Sequence, residues 1–431
     1  MKKVAFHTLG CKVNQYETEV LRQTFLGNGF SAASCDEEAE IHIVNSCTVT
    51  ATGDKKVRQL LRRLRRLCPD GVIGLTGCFP QAYPDAAAAL PEADVITGSA
   101  NRGELFAGVV EFLATGKRIV RVGQFTADTP FEPMSLTAFS ERTRAAIKIQ
   151  DGCNCRCSYC IIPTARGPVR SKPPEDILKE AEALAANGYT ELVPVGINLS
   201  FYGSDLGLTL AEGIAAVCKP EGVRRIRLGS LEPELLTEER IAALAGFKKL
   251  CPQFHLSLQS GSDRVLAAMR RRYRAGQYLK ILEDLRRAFP NCAITTDIIA
   301  GFPGETEEDH AQTLSFIEAA GFAKVHVFPY SKRPGTDAAS LPHQVSPQVK
   351  ARRAAELSQR AAAVRNRFME KMVGKEFPVL FEQCRDGLWQ GYTPNYSPVA
   401  LSSEEDLSGQ CRTVRITGWI PGQDHCTGTL V

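Results

Sequence analysis

Residues 149–167 read I-Q-D-G-C-N-C-R-C-S-Y-C-I-I-P-T-A-R-G, with Cys153, Cys157 and Cys160 at C-x3-C-x2-C spacing and Cys155 wedged between the first two. Thiols crowded on one short loop cannot all pair as disulfides, which need suitably placed partner backbones. They can all face one metal centre. A structural zinc site normally takes a second, distant pair of ligands to close its tetrahedron. Three thiolates on one loop instead suit a four-iron cluster with one iron left open. A zinc staple or adventitious thiols are the plain alternatives at this point.

Three further cysteines stand far apart in the first hundred residues. Cys11, Cys47 and Cys78 each follow a short apolar run (residues 4–9, 41–45 and 72–76), two of them directly after a glycine. If those runs are parallel strands, their C-terminal ends lie on one edge of the sheet, where ligands bind. Three thiols then converge on one point and make a second metal-ligating set; the alternative is three buried loop cysteines. Cys35, in a loop, and Cys68, at a helix end, are read as bystanders.

The elements that must position these thiols follow from periodicity. Residues 1–125 alternate strands (4–9, 41–45, 72–76, 94–97) with helices (16–26, 55–67, 105–113), which implies a parallel α/β domain. After a linker with few periodic signals, residues 140–345 carry six strand-like runs at 145–150, 191–196, 224–229, 254–259, 293–299 and 324–329, with helical stretches between them. Six β/α units predict a partial barrel whose chemistry sits at the strand C-termini. The cysteine loop leaves the first of these strand ends. Polar residues at later strand ends include Asn198, Glu232, Gln259 and Asp297, some of which are expected to be ordinary helix caps. Residues 346–373 form a basic helical connector. Residues 374–431 break into short β segments separated by turns, a small antiparallel barrel.

The totals set bounds. At 431 residues the chain is too long for one ordinary core. A hydrophobic content of 44% and charged content of 23% are those of a globular protein. There is no apolar leader and no long apolar run, which predicts a cytoplasmic address and no membrane partner. Fifteen cysteines in a reducing compartment favour metal ligation over disulfides. A net charge of +4 does not diagnose nucleic acid. Its clustering is more telling: Lys55, Lys56, Arg58, Arg62, Arg63, Arg65 and Arg66 fall on one helix, and a second basic helix spans 349–372. Each is either a solvated face or a phosphate-contacting stripe.

The spacing of Cys153, Cys157 and Cys160 resembles the signature of radical S-adenosylmethionine enzymes. That resemblance implies a [4Fe-4S] cluster whose open iron chelates the methionine end of S-adenosylmethionine, which is cleaved to methionine and a 5′-deoxyadenosyl radical. It implies that Tyr159 lies near the adenine, that Gly196 to Asn198 face the amino group, and that Glu232 and Gln259 lie toward the rest of the cofactor. The segments T-L-G-C-K-V-N-Q-Y-E, N-S-C-T-V-T, T-G-C-F-P-Q and L-S-L-Q-S-G-S-D, with the cysteine loop, extend the resemblance to the methylthiotransferases across nearly the whole chain. In that family the N-terminal cysteines bind an auxiliary cluster, which implies a second [4Fe-4S] group at Cys11, Cys47 and Cys78.

The first motif is similar to the subgroup that converts N6-threonylcarbamoyladenosine, beside the tRNA anticodon, to its 2-methylthio derivative. Related subgroups act on isopentenyladenosine or on a ribosomal-protein aspartate. The implied partners are the tRNA anticodon stem-loop, an electron donor and a sulfur source. Cys155 departs from the family, which usually shows asparagine there, and Val193-Pro194-Val195 replaces a more usual Thr-Gly. The C-terminal module resembles the TRAM RNA-binding barrel through G-Y-T-P-N-Y-S-P-V, where Tyr392, Asn395 and Tyr396 either contact bases or fill the core. The module carries more acidic than basic residues. An iron–sulfur electron carrier or scaffold, and a zinc RNA-binding protein, are the competing classes.

Overall fold

A computed structural model describes residues 2–33, 39–139 and 143–431. Cys35, and Ser140 at the end of the predicted linker, lie outside the described residues.

The first region contains β1 (Lys3–Thr8), α1 (Lys12–Gly27), β2 (Ser31–Ala32), β3 (Ile41–Ser46), α2 (Ala51–Leu67), β4 (Val72–Gly77), α3 (Cys78–Ala82), α4 (Pro84–Ala88), β5 (Val95–Thr97), α5 (Glu104–Thr115) and β6 (Ile119–Arg121). Its six strands pair in the order β2-β1-β3-β4-β5-β6, every pair parallel. The strands are apolar on both sides because helices cover both faces. Val44, Ile73 and Leu75 pack with Val57, Leu61 and Leu64 of α2 on one side. Val4, Ile41, Ile43 and Val72 pack with Phe25, Leu105 and Val109 on the other.

The central region contains β7 (Ala145–Lys148), β8 (Gln150–Asp151), α6 (Ile162–Arg166), β9 (Arg170–Ser171), α7 (Pro174–Ala186), β10 (Glu191–Val195), α8 (Leu210–Cys218), β11 (Arg225–Ile226), β12 (Ser230–Leu231) and α9 (Glu238–Ala245). It continues through β13 (Gln253–Leu256), α10 (Asp263–Ala268), α11 (Ala275–Ala288), β14 (Ala293–Ala300), α12 (Glu307–Ala320) and β15 (Lys324–Pro329). The six predicted β/α units are present. The third strand is interrupted after Ile226, so the partial barrel is made of two parallel sheets, β11-β10-β7 and β12-β13-β14-β15. Ile147, Leu192, Phe254, Leu256, Ile294 and Ile298 are fully or almost fully buried and form one core with the surrounding helices.

The chain ends with α13 (Pro347–Glu370), β16 (Glu376–Arg385), β17 (Leu388–Tyr392), β18 (Pro398–Leu401), β19 (Cys411–Ile420) and β20 (His425–Leu430). The five strands close into a barrel in the order β16-β17-β18-β20-β19. Four pairings are antiparallel and β18–β20 is parallel. A ring with an odd number of strands cannot alternate direction at every step, so one parallel neighbour is unavoidable.

The C-terminal edge of the first sheet faces the C-terminal edge of the partial barrel. Val13 of α1 packs on Val193 and Val195 of β10. Arg333, just beyond β15, donates to Thr48 Oγ1 at 2.8 Å and to Asp54 Oδ2 at 2.6 Å. Ala51 N–H donates to Ser331 Oγ at 2.9 Å, and Tyr83 O–H to the Pro334 carbonyl at 3.0 Å.

Candidate metal centres

The cysteine loop emerges from the end of the β7–β8 segment, as its position after the first barrel strand predicts. Its middle is pinned by backbone contacts: Ser158 N–H donates to the Met269 carbonyl at 3.1 Å, Ser158 Oγ to the Ala268 carbonyl at 2.8 Å, and Ala338 N–H to the Ser158 carbonyl at 2.8 Å. Its two ends are joined by Cys153 N–H donating to the Gly167 carbonyl at 3.1 Å. Cys153, Cys157 and Cys160 are free thiols within electrostatic reach of one another. Burial pushes the Cys160 thiol up to about 12. Cys153 is the exception: a hydrogen bond from the Cys155 thiol, opposed by burial and aided by Asn198, holds it at about 7.

Of the rim residues named from the sequence, Asn198 reaches this loop directly and Glu232 through Arg271. Asn198 Nδ2 lies 3.8 Å from Cys153 Sγ and 4.0 Å from Cys155 Sγ, while its backbone N–H donates to Gln150 Oε1 at 2.8 Å. Gly196 backs the same Gln150; a Cβ there would stand 2.6 Å from Gln150 Oε1. Glu232 is buried and ion-paired with Arg271, whose Nη1 donates to Cys157 Sγ at 3.2 Å. Burial pushes the Glu232 carboxyl up and the guanidinium pulls it back. Tyr159 packs against Val265, Met269, Phe302 and Tyr330. Gln259, three residues beyond β13, has φ +73°, a strained value for a non-glycine residue, and its backbone pairs with β14 through Asp297 and Ile299. Arg271 was not singled out in the sequence; only a three-dimensional neighbour list reveals it.

The strand-end set is built differently. Cys11 caps the start of α1, Cys47 follows β3, and Cys78 opens α3 directly after β4. Gly10 lets two of these loops meet: its φ is +130°, and a Cβ there would stand 2.9 Å from Cys47 Cβ. Asn14 stitches the loops together, with Nδ2 near the carbonyls of Leu9 (3.2 Å) and Ser46 (3.0 Å) and Oδ1 3.4 Å from Cys11 Sγ. The three thiols influence one another electrostatically, and burial pushes Cys78 up to about 12. Cys68, the other thiol read as a bystander, is turned away to the Ala39 carbonyl at 3.1 Å.

Among the described residues no group of three or more His, Cys, Asp or Glu side chains is arranged to hold a single metal ion. Thiolates that each bind a different iron of a cluster stand wider apart than ligands sharing one ion, so both thiol sets suit a cluster by donor chemistry. One further observation fits S-adenosylmethionine. Asn198 Oδ1 is buried without a hydrogen-bond partner, an acceptor left over beside Cys153. An amino group is a donor of the kind it lacks.

A buried charge network missed by sequence reasoning runs between the two sets. Glu17 of α1 meets Lys148 Nζ at 2.7 Å, Arg166 Nη1 at 2.5 Å and Arg102 Nη2 at 3.2 Å. Asp151 meets Lys148 Nζ at 2.6 Å and Arg170 Nη2 at 3.4 Å. Its members are scattered from position 17 to position 170, so no local pattern announces them.

The residues considered for RNA contact have protein partners as well. Tyr392 and Tyr396 stack at 4.5 Å, with Arg144 over both rings and Arg227 over Tyr396; Asn395 donates to the Asn291 carbonyl at 3.0 Å. These contacts join the small barrel to the central region, with both tyrosines left partly exposed. The arginines of α13 are largely committed as well: Arg352 and Arg353 to Glu307, Arg360 and Arg367 to Glu318, and Arg365 to Asp424. On α2, Lys55, Lys56, Arg62, Arg63 and Arg66 are exposed, with Arg62 3.5 Å from Glu92.

Comparison with known proteins agrees with this architecture. Residues 147–317 match the model of the Radical SAM superfamily, and residues 3–98 match the one described as Uncharacterized protein family UPF0004. The radical S-adenosylmethionine methyltransferase TsrM from Kitasatospora setae, solved with cobalamin and a [4Fe-4S] cluster, shares the fold at 14% identity and a TM-score of 0.57, covering 78% of this chain and 74% of that one. The tRNA-2-methylthio-N(6)-dimethylallyladenosine synthase of Pelotomaculum thermopropionicum is 32% identical, covering 100% of this chain and 98% of its own. The threonylcarbamoyladenosine tRNA methylthiotransferase MtaB of Bacillus subtilis (strain 168) is 39% identical over 96% of this chain and 94% of its own. Likeness of that degree over nearly the full length of both chains, on a fold with this cysteine loop at its first barrel strand, makes the protein a member of the radical S-adenosylmethionine methylthiotransferase family.

Proposed function

We propose that this protein converts N6-threonylcarbamoyladenosine beside the tRNA anticodon into its 2-methylthio derivative. The observation that carries the proposal is the facing pair of thiol sets: one on the first loop of the partial barrel, the other at three strand ends opposite it. Cys153, Cys157 and Cys160 hold one [4Fe-4S] cluster, and Cys11, Cys47 and Cys78 hold a second. When bound and reduced, the first cluster supplies the electron that cleaves S-adenosylmethionine.

The chain's own residues prepare that site. Asn198 offers its unpartnered oxygen to the cofactor's amino group, and Gly196 leaves room for Gln150 to fix the Asn198 backbone. Tyr159, between two ligands in sequence, is the aromatic that lies toward the adenine. Arg271 places its positive charge between Cys157 and Glu232, so neither negative group is left alone in a buried setting. Glu232 and Gln259 line the remaining rim. The α2 face, with its exposed lysines and arginines beside the Cys47 loop, is the surface offered to tRNA phosphates. An electron donor and a sulfur source complete the requirements. No helix among the described residues is long and apolar enough to cross a membrane.

The test is mass spectrometry of tRNA nucleosides from cells lacking the protein. Loss of 2-methylthio-N6-threonylcarbamoyladenosine, with the unmodified precursor accumulating, is the expected result. Loss of the dimethylallyl derivative instead would assign the substrate of the 32%-identical relative.

A further inference from the structure

Arg166 ends α6, the short helix that follows the cysteine loop, and its side chain is completely buried. Although it belongs to the segment carrying Cys153, Cys157 and Cys160, its guanidinium reaches into the other thiol set. Nε donates to Cys78 Sγ at 3.1 Å. Nη1 and Nη2 meet Glu17 Oε1 and Oε2 at 2.5 and 3.1 Å, and Nη2 also donates to Asn14 Oδ1 at 2.8 Å. Asn14 in turn binds the loops of Cys11 and Cys47. One guanidinium therefore touches the Cys78 thiol directly and, through Asn14, reaches the Cys11 thiol and the Ser46 carbonyl beside Cys47.

The near side is equally fixed. The Arg166 carbonyl accepts from Arg170 Nη1 at 2.9 Å, and the next residue, Gly167, accepts the backbone N–H of Cys153 at 3.1 Å. Glu17 and Asn14 take up the two Nη groups, and the buried Nε–H is left to the Cys78 sulfur. The hydrogen bond to sulfur thus ties the contact between regions to a thiol. It also needs the planar, multi-directional donor set that arginine has and lysine lacks.

We propose that Arg166 is a positioning residue shared by both thiol sets, which fixes Cys78 and raises the reduction potential of the iron–sulfur group held by Cys11, Cys47 and Cys78. The inference rests on the two-cluster reading above. Hydrogen bonds to ligand sulfur and nearby charge are among the factors that set cluster potentials. A cation donating to the sulfur stabilises the more negative, reduced state, so removing it lowers the potential.

The experiment uses the full chain with Cys153, Cys157 and Cys160 replaced by alanine, reconstituted anaerobically with iron and sulfide, so that only the strand-end set is loaded. Arg166, Arg166→Lys and Arg166→Gln proteins are compared by redox titration followed by electron paramagnetic resonance. Arg102→Gln, which loses another partner of Glu17, controls for a merely structural effect. The expected result is a more negative midpoint in Arg166→Gln, up to a tenfold fall in the ratio of reduced to oxidised cluster at fixed potential (about 59 mV for one electron). Arg166→Lys should fall between, and Arg102→Gln should stay with the parent. An unchanged midpoint in both Arg166 variants, or an equal shift in Arg102→Gln, overturns the inference. A parent that takes up no iron overturns the two-cluster reading beneath it, and the inference with it.

Discussion

The two thiol sets are alike in number and opposite in construction. The loop set lies within eight consecutive residues, and its backbone is tied to itself and to the turn after α10. The strand-end set draws on three loops separated by more than thirty residues each, and its geometry exists only if the parallel sheet has formed. Each set receives a cation at one sulfur: Arg271 at Cys157, Arg166 at Cys78. Arg271 comes from the same region as its thiol; Arg166 crosses from the opposite one. The loop set is thus locally supported, while the strand-end set depends on its own sheet and on the contact between regions.

Three substitutions probe that difference, in falling order of effect. Cys153→Ala removes a ligand from the self-contained set and should abolish 5′-deoxyadenosine formation while leaving iron at the strand-end set; iron analysis and product chromatography check both halves.

Glu17→Gln attacks the shared interface. Burial pushes the Glu17 carboxyl up, but Arg102, Arg166 and Lys148 outweigh it and hold the group down to about 2. Withdrawing the negative charge from among three buried cations should cost about 3–5 kcal/mol, read as a lower denaturant midpoint with strand-end iron lost before loop iron. Because the folded value is depressed from 4.5, the native protein's advantage is full above that pH and fades as pH falls toward 2. Equal loss of iron from both sets would break the comparison. Cys155→Ala removes one hydrogen bond to Cys153 and no proposed ligand. It should change the rate of cofactor cleavage by no more than about fivefold, the worth of one hydrogen bond.

The same contrast explains what the sequence made legible. The loop set announces itself because all its ligands fall in one window. The strand-end set was readable only through an inference about topology, that apolar runs followed by cysteine end on one edge of a parallel sheet. The six strands of the partial barrel were visible from apolar runs between helical stretches, although the break after Ile226 was not. Glu17, Lys148, Asp151 and Arg166 left no trace in local pattern, since a buried ion network depends on which elements face each other. Tyr392 and Tyr396 illustrate a different limit. An aromatic pair in a small barrel looks the same in sequence whether it awaits a base or an arginine from the neighbouring region, and here Arg144 and Arg227 cover it. The basic residues of α13 likewise have acidic neighbours, Glu307, Glu318 and Asp424, that their own spacing does not reveal.

The most direct test of divided labour between the sets is Cys47→Ala, assayed with S-adenosylmethionine, a reductant and substrate tRNA, measuring 5′-deoxyadenosine and methylthio nucleoside in the same reaction. The account predicts that cofactor cleavage persists and methylthio product disappears. Methylthio product at the normal rate would contradict it, because the strand-end thiols would then have no part in sulfur transfer.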